Sequence, residues 1–350
     1  MLKQKVRTIT NLVTNRMTHK DLYYVVEGAN WSIDHDGRSI TANLHDINSA
    51  VVTTCRGIRN SIVHFGSVNT FLNNDGPKFP HKSNKLIVTW FHISPGDKRV
   101  EFIPEMAKHV DLWHTSCNIT RNKLIKLSVP KEKIIVIPLG VNLRAFNVPT
   151  QQQKENIRSE LGISKEQIAI GSFQKDGVGW GEGLEPKMIK GPDVFCDVVE
   201  KLCRKYDLFV ILTGPARGYV KRRLESFGVP YSHHFLSDPD ETARYYKALD
   251  LYIATGRHEG GPKSLLESMA SGVPLVSTKA GMAPDIITDG ENAFLCDIDN
   301  IGKIVQKSMT FLDDKETKER ITANGLKTAH KFDWNIIAQK YEDNLYQRFL

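Results

Sequence analysis

Residues 257–276 hold the densest chemistry in the chain, with Glu259, Gly260, Gly261, Pro262, Lys263, Ser264, Leu265 and Glu267 inside nine positions. Gly260 and Gly261 are expected to let the backbone approach a ligand closely and to adopt positive φ. Pro262 suits the first position of a helix, where a missing N–H costs nothing. Gly272 suits the residue just past its end. Leu265, Leu266, Met269 and Ala270 fall on one face of that helix. A helix that opens after a glycine loop offers free N–H groups and the positive end of its dipole, a combination that binds phosphate. Lys263, Ser264 and Leu265 stand at that opening.

The two carboxylates need a different partner. Glu267 lies about 7 Å of helical rise beyond the start. A carboxylate there repels phosphate but accepts hydrogen bonds from hydroxyls one sugar further out, which suits a ribose. Glu259, before the helix, would grip hydroxyls of a transferred sugar. The plainer alternative makes both surface acids, with Glu267 paired to Lys263 four residues earlier. Either glutamate alone favours that alternative. Both together, around a glycine loop, favour a nucleoside-diphosphate sugar as substrate.

The elements that position these residues alternate along the chain. A length of 350 residues suits two hydrophobic cores rather than one. Short apolar runs at 22–27, 61–65, 85–91 and 134–138 predict buried parallel strands, with helical patterns at 101–110 and 120–127. Residues 139–154, with Gly140, Pro149 and three consecutive glutamines, predict a linker. A second series follows, with strands at 167–173, 208–213, 231–235, 251–255, 274–277 and 293–296. Its helices are predicted at 192–205, 219–227, 240–248, 262–271, 301–312 and 314–331. The expected fold is α/β, with two Rossmann-like domains, 1–147 and 148–332, facing a cleft. A last helix is expected over 333–350.

The segment from Glu259 to Val276 resembles the signature of family 4 retaining glycosyltransferases, which have the GT-B fold. Val136–Phe146 is similar to that family's segment at the domain boundary, Lys190-Gly191 to its "K-G" element, and Tyr246–Leu251 to its "Y-x-x-A-D-L". Trp334 and the helix after it resemble the C-terminal helix that crosses back to the first domain. The resemblance implies that Glu259 holds donor-sugar hydroxyls, Glu267 the ribose and Lys190 the diphosphate. It also places His92, after the strand at 85–91, near the donor sugar. An arginine usual before the "K-G" element is missing. Lys175 is the expected substitute, although a lysine makes a weaker bidentate contact. A glycine-rich insertion, 176–187, separates the two lysines. The first loop, 28–34, is expected to border donor and acceptor, and Ser116 to face the cleft. Asp34 and Asp36 would border the cleft with that loop or, in the plainer alternative, be surface acids.

The implied reaction moves a hexose-like unit from a nucleoside diphosphate to a hydroxyl of a glycan, glycolipid or protein-linked sugar, with retention. No cofactor or metal is expected, because cations and a helix end already serve the diphosphate. The triplets Asp34-His35-Asp36, Asp238-Pro239-Asp240 and Asp297-Ile298-Asp299 are too short a pattern to indicate one. A nucleotide-sugar epimerase or hydrolase of the same architecture is the alternative. No G-x-G-x-x-G follows the first strand, which disfavours a dinucleotide oxidoreductase.

The formal charge of +7 raises a nucleic-acid-binding protein as a reading from another class. No recognition motif supports it. Five cysteines without a C-x-x-C pair argue for reduced thiols in a cytoplasmic setting. The N-terminus has no apolar core of a signal peptide. Residues 2–18 predict an amphipathic helix that either packs on its own domain or, extended to residue 20, rests on an anionic membrane surface.

Overall fold

The computed structural model describes residues 19–73 and 76–350. The amphipathic helix expected over residues 2–18 lies outside them. The described residues form two compact units, one of those up to Leu139 together with 334–350, the other of residues 140–333. The division falls between Leu139 and Gly140, ahead of the expected 147/148.

The first unit is built on a parallel sheet of β1 (Leu22–Val25), β2 (Ser49–Val52), β3 (Ile62–Phe65), β4 (Lys85–Thr89), β5 (Leu112–Thr115) and β6 (Ile134–Val136), in the order β2-β1-β3-β4-β5-β6. β2 goes beyond the sequence reading: it is a half-buried edge strand, and its four residues carry too short a pattern to stand out. Tyr23, Val63, Phe65, Val88 and Trp113 form one core with the helices packed on the sheet.

The C-terminal helix Trp334–Tyr341, continued by a π turn over Glu342–Tyr346, belongs to this first unit. The Glu342 carboxylate accepts the backbone N–H groups of His45 and Asp46 at 3.0 and 3.1 Å. Beneath the helix runs a buried polar chain. His114 Nε2 lies 3.0 Å from the Ile137 carbonyl, which can only accept, so Nε2 carries the proton. Nδ1 therefore accepts from the Thr89 hydroxyl at 2.9 Å, and Thr89 in turn accepts from His64 Nε2 at 2.8 Å. His64 Nδ1 then accepts from the Tyr346 hydroxyl at 2.8 Å. Tyr341 reaches His114 Nε2 at 3.0 Å. Burial holds the His114 imidazole down at about 4 and lowers His64 well below the usual range, with His114 adding to the second effect.

The second unit carries β7 (Ile168–Phe173), β8 (Leu208–Thr213), β9 (Tyr231–His234), β10 (Leu251–Ala254), β11 (Leu275–Thr278) and β12 (Phe294–Cys296), all parallel, in the order β9-β8-β7-β10-β11-β12. Its core joins Ile170, Phe195, Val199, Val210, Leu251 and Phe311. The order reverses between β7 and β10, and ligands of doubly wound sheets bind at the carboxyl ends of the strands at such a point.

The expected linker is partly a helix, Gln151–Glu160. Thr150 and Gln153 form a reciprocal capping box, and glutamine favours helix once the start is fixed. Arg158 from this helix is buried against Asp250, with Nη1 2.6 Å from the carboxylate. Where the chain enters and leaves this unit, Val141 pairs with Asp333 in a parallel bridge. Among the described residues, no helix is long and apolar enough to cross a membrane.

Candidate functional site

β7 and β10 each release a loop at the reversal point. The loop after β10 runs from Thr255 to Lys263, and the helix after it spans Ser264–Ala270. The helix thus opens two residues later than Pro262. Lys263 supplies the first carbonyl, which accepts from Glu267 N–H at 3.0 Å, while the Pro262 carbonyl closes a turn with Leu265 N–H at 3.2 Å. With seven residues, this helix offers only a short dipole. Gly272 ends it in the left-handed region, at φ 67°.

Gly260 and Gly261 do not take the expected positive φ. The left-handed glycine beside the loop is Gly281, at φ 57°. A Cβ there would lie 2.3 Å from the Gly260 carbonyl and 2.9 Å from Glu259 Cβ. Gly281 thus gives the loop its room, a role with no signal in the local sequence.

A clamp holds the loop against the turn Met188–Lys190. The N–H groups of Arg257 and His258 both donate to the Ile189 carbonyl, at 2.9 and 3.0 Å. The Arg257 guanidinium grips Asp193 at 2.8 and 2.6 Å and reaches Asp299 at 2.7 Å. This brings Lys190 onto Glu259, with Nζ 2.8 and 2.7 Å from the two carboxylate oxygens. Both side chains are partly buried. Lys187, which the sequence reading passed over, sits in the same field. Burial and then the charges of Lys190 and Lys175 lower its pKa, while Glu259 opposes them.

Beside the pair lies a small recess lined by Gln174, Gly256, Glu259, Pro262, Ser264 and Thr278 among others. Gln174 follows β7 and donates to the Lys190 carbonyl at 3.2 Å. Glu267 accepts from the Tyr246 hydroxyl at 3.1 Å. Leu265 is buried in the core and contributes backbone only. Lys175 carries its ammonium 3.4 Å from the centre of the Trp180 ring, inside the insertion.

His92 belongs to the first unit, beyond the end of β4, where its carbonyl accepts from the Trp90 indole at 3.0 Å. Asp34 and Asp36 are buried, not surface acids. Asp34 accepts from Gly28 N–H at 3.1 Å and Asn30 N–H at 2.8 Å, shaping a loop in which both residues have positive φ. Ser116 is buried as well. Asp238 caps its own turn, and Asp297 and Asp299 pair with Lys279 and Arg257.

Comparison with known proteins turns on this same stretch. Residues 184–328 match the family model described as glycosyl transferases group 1. The matched residues run from the insertion through Lys190, the 257–261 loop and both glutamates.

Two curated relatives are glycosyltransferases by name. The lipopolysaccharide core biosynthesis mannosyltransferase LpsB of Rhizobium meliloti is 28% identical over 207 residues, 56% of this chain and 55% of the relative. A D-inositol 3-phosphate glycosyltransferase of Corynebacterium diphtheriae is 27% identical over 225 residues, 60% of this chain and 50% of the relative. The chain thus spans about half the length of the curated relatives it matches.

Likeness in three dimensions reaches further. HepE of Anabaena, solved in complex with UDP-glucose, superposes with a TM-score of 0.76 over 94% of this chain and 100% of its own, at 16% identity. Sucrose-phosphate synthase of Thermosynechococcus elongatus gives 0.62 over 82% of this chain and 73% of its own, at 15% identity. The fold is α/β of the GT-B type, with two six-stranded parallel sheets.

Proposed function

We propose that this chain is a retaining family 4 glycosyltransferase that moves a hexose-like unit from a nucleoside-diphosphate sugar to a hydroxyl of a glycan, glycolipid or protein-linked sugar. The observation that carries this reading is the Lys190–Glu259 pair beside the recess at the β7/β10 reversal point. In this reading Lys190, with Lys187 beside it, neutralises the diphosphate, and Ser264 N–H adds a donor. Glu259 holds sugar hydroxyls once the diphosphate draws Lys190 toward itself. Glu267 takes the ribose, with Tyr246 fixing its carboxylate.

Much of the barrier lies in expelling the diphosphate, so cations already in place stabilise the developing charge without reorganising. Same-face attack follows, with the departing phosphate oxygen taking the acceptor's proton. His92 would stand near the donor sugar, and Lys175 would add a second, weaker phosphate contact. No metal or cofactor takes part, and no nucleic acid is bound. The setting is cytoplasmic, with residues 2–20 as the segment that would meet a membrane surface. The LpsB and D-inositol 3-phosphate glycosyltransferase names support this reaction class.

A thermal-shift screen of nucleoside diphosphates tests the reading, because a ligand of the native state raises its stability by mass action. One diphosphate should stabilise the protein, and its sugar conjugate should label a hydroxyl acceptor. No stabilisation by any of them, or full turnover in a Glu259→Gln, Glu267→Gln double variant, overturns it.

A further inference from the structure

The insertion between β7 and Lys190 is not a slack loop. Its ends are tied by Lys187 N–H to the Asp176 carbonyl at 2.7 Å and Val178 N–H to the Glu185 carbonyl at 2.9 Å. It is also stitched to the segment after β8, by Gly218 N–H to the Glu182 carbonyl at 2.7 Å and Tyr219 N–H to the Gly183 carbonyl at 2.9 Å. At its root a wholly buried ion pair joins Asp176 to Arg217 Nε at 2.9 Å. Arg217 also donates to the Ser172 and Thr213 carbonyls at the ends of β7 and β8, both at 2.6 Å.

This rigid hairpin displays an indole. Trp180 is 58% exposed, although tryptophan is a residue that folding ordinarily hides. The Lys175 ammonium sits 3.4 Å from the ring centre and fixes the ring's pose. The carboxylates of Glu182 and Glu185 are exposed on the same hairpin. A flat apolar ring with hydroxyl-accepting carboxylates nearby matches the two kinds of surface on a pyranose, its C–H face and its rim of hydroxyls. An anionic lipid surface would be repelled by the same two acids. The hairpin runs into Lys187 and Lys190, and Lys175, on the indole, shares the electrostatic surroundings of Lys187 with Lys190 and Glu259.

We propose that Trp180 is the platform on which the acceptor's pyranose ring stacks, with the insertion serving as an acceptor subsite. The assignment rests on the glycosyltransferase reading, in which Glu259 already holds the donor sugar. The residues that shape the subsite are those of the hairpin, and Asp176 and Arg217 position it without touching the sugar.

The test compares the wild type with Trp180→Ala and Trp180→Phe. Saturation-transfer NMR with methyl pyranosides of glucose, mannose and galactose reads sugar binding without any donor. A titration with UDP reads the nucleotide site separately. Transfer kinetics then give the acceptor KM. Trp180→Ala should abolish the pyranoside signal and raise the acceptor KM about tenfold or more, the effect of losing roughly 1.4 kcal/mol of binding. Trp180→Phe keeps a ring under Lys175, so it should restore most of both with a UDP affinity within about twofold of the wild type. An unchanged pyranoside signal and acceptor KM in Trp180→Ala overturn the subsite while leaving the donor reading intact. A wild type that binds neither nucleoside diphosphates nor sugars overturns both. Loss of UDP affinity equal to the loss of acceptor affinity would assign Trp180 to the donor instead.

Discussion

Lys190 Nζ lies 2.8 and 2.7 Å from the two oxygens of Glu259, so the residues expected to serve a phosphate and a sugar hydroxyl serve each other in the free protein. In the proposed reading a donor divides that pair. The two side chains therefore act as a unit, and their removal is not additive.

Single variants Lys190→Ala and Glu259→Gln should each lower kcat/KM by about 100-fold or more, the scale of losing one preorganised charge-stabilising group. The double variant should fall well short of the product of the two losses. Steady-state kinetics on all three decide it, and strict additivity would mean that the pair does not act together.

Gly191→Ala should cripple the site through the backbone. Gly191 has φ 64°, and a Cβ there would lie 2.0 Å from the Thr255 carbonyl. The left-handed conformation alone costs a side chain about 1 kcal/mol, and the clash adds to it. Thermal unfolding should show a lower Tm, and nucleotide binding should weaken because Lys190 is the preceding residue. A variant with the wild-type Tm would contradict this.

The buried Asp176–Arg217 pair predicts a large loss on truncation. Asp176→Ala leaves the guanidinium in a wholly buried position without its carboxylate, at a cost of about 3 kcal/mol or more. Urea unfolding reads that cost. Limited proteolysis should at the same time begin to cut within 177–186, since the hairpin loses its root.

Stability of the first unit should fall with pH below the ordinary histidine range. His64 and His114 are both held neutral by burial, with folded pKa values below 6.5. The unfolded chain then binds more protons than the folded one. Stability is therefore complete above about pH 6.5 and drains away as pH falls toward 4, on the order of 3 kcal/mol for His114 alone. Unfolding midpoints across that window, with nitrogen NMR of the imidazoles, check the sign. Protonated His114 at pH 5.5 in the folded protein would refute it.

If lysines rather than a metal neutralise the diphosphate, transfer activity should survive an excess of chelator. Loss of activity that manganese restores would remove that part of the reading.

The sequence carried the second unit well because its central strands, β8 above all, are apolar on both faces and its turns are marked by glycine. The span of β8 and the left-handed Gly272 follow directly from such signals. Less visible were features set by partners distant in sequence. Gly281 makes room for Glu259 across a gap of 22 residues, and nothing near Gly281 announces it. The burial of Asp34 goes with the N–H groups of Gly28 and Asn30, and that of Asp36 with the packing of its helix, neither of which residue type alone encodes. The helix at 151–160 was hidden because its glutamines look like linker, while its start depends on a three-residue capping relation. At the site, the glutamates and Lys190 could be picked out one by one, but their direct contact required the Arg257–Asp193 clamp.

The discontinuity of the first unit also bears on how the protein comes into being. Residues 140–333 leave the ribosome as one unbroken stretch and can acquire their tertiary structure as they emerge. The earlier-made portion must wait, because the tyrosines that close its buried chain arrive only after Asp333 has been translated. The first unit therefore cannot close until the last-encoded helix has been made, whereas the second draws on no residue outside its own continuous stretch.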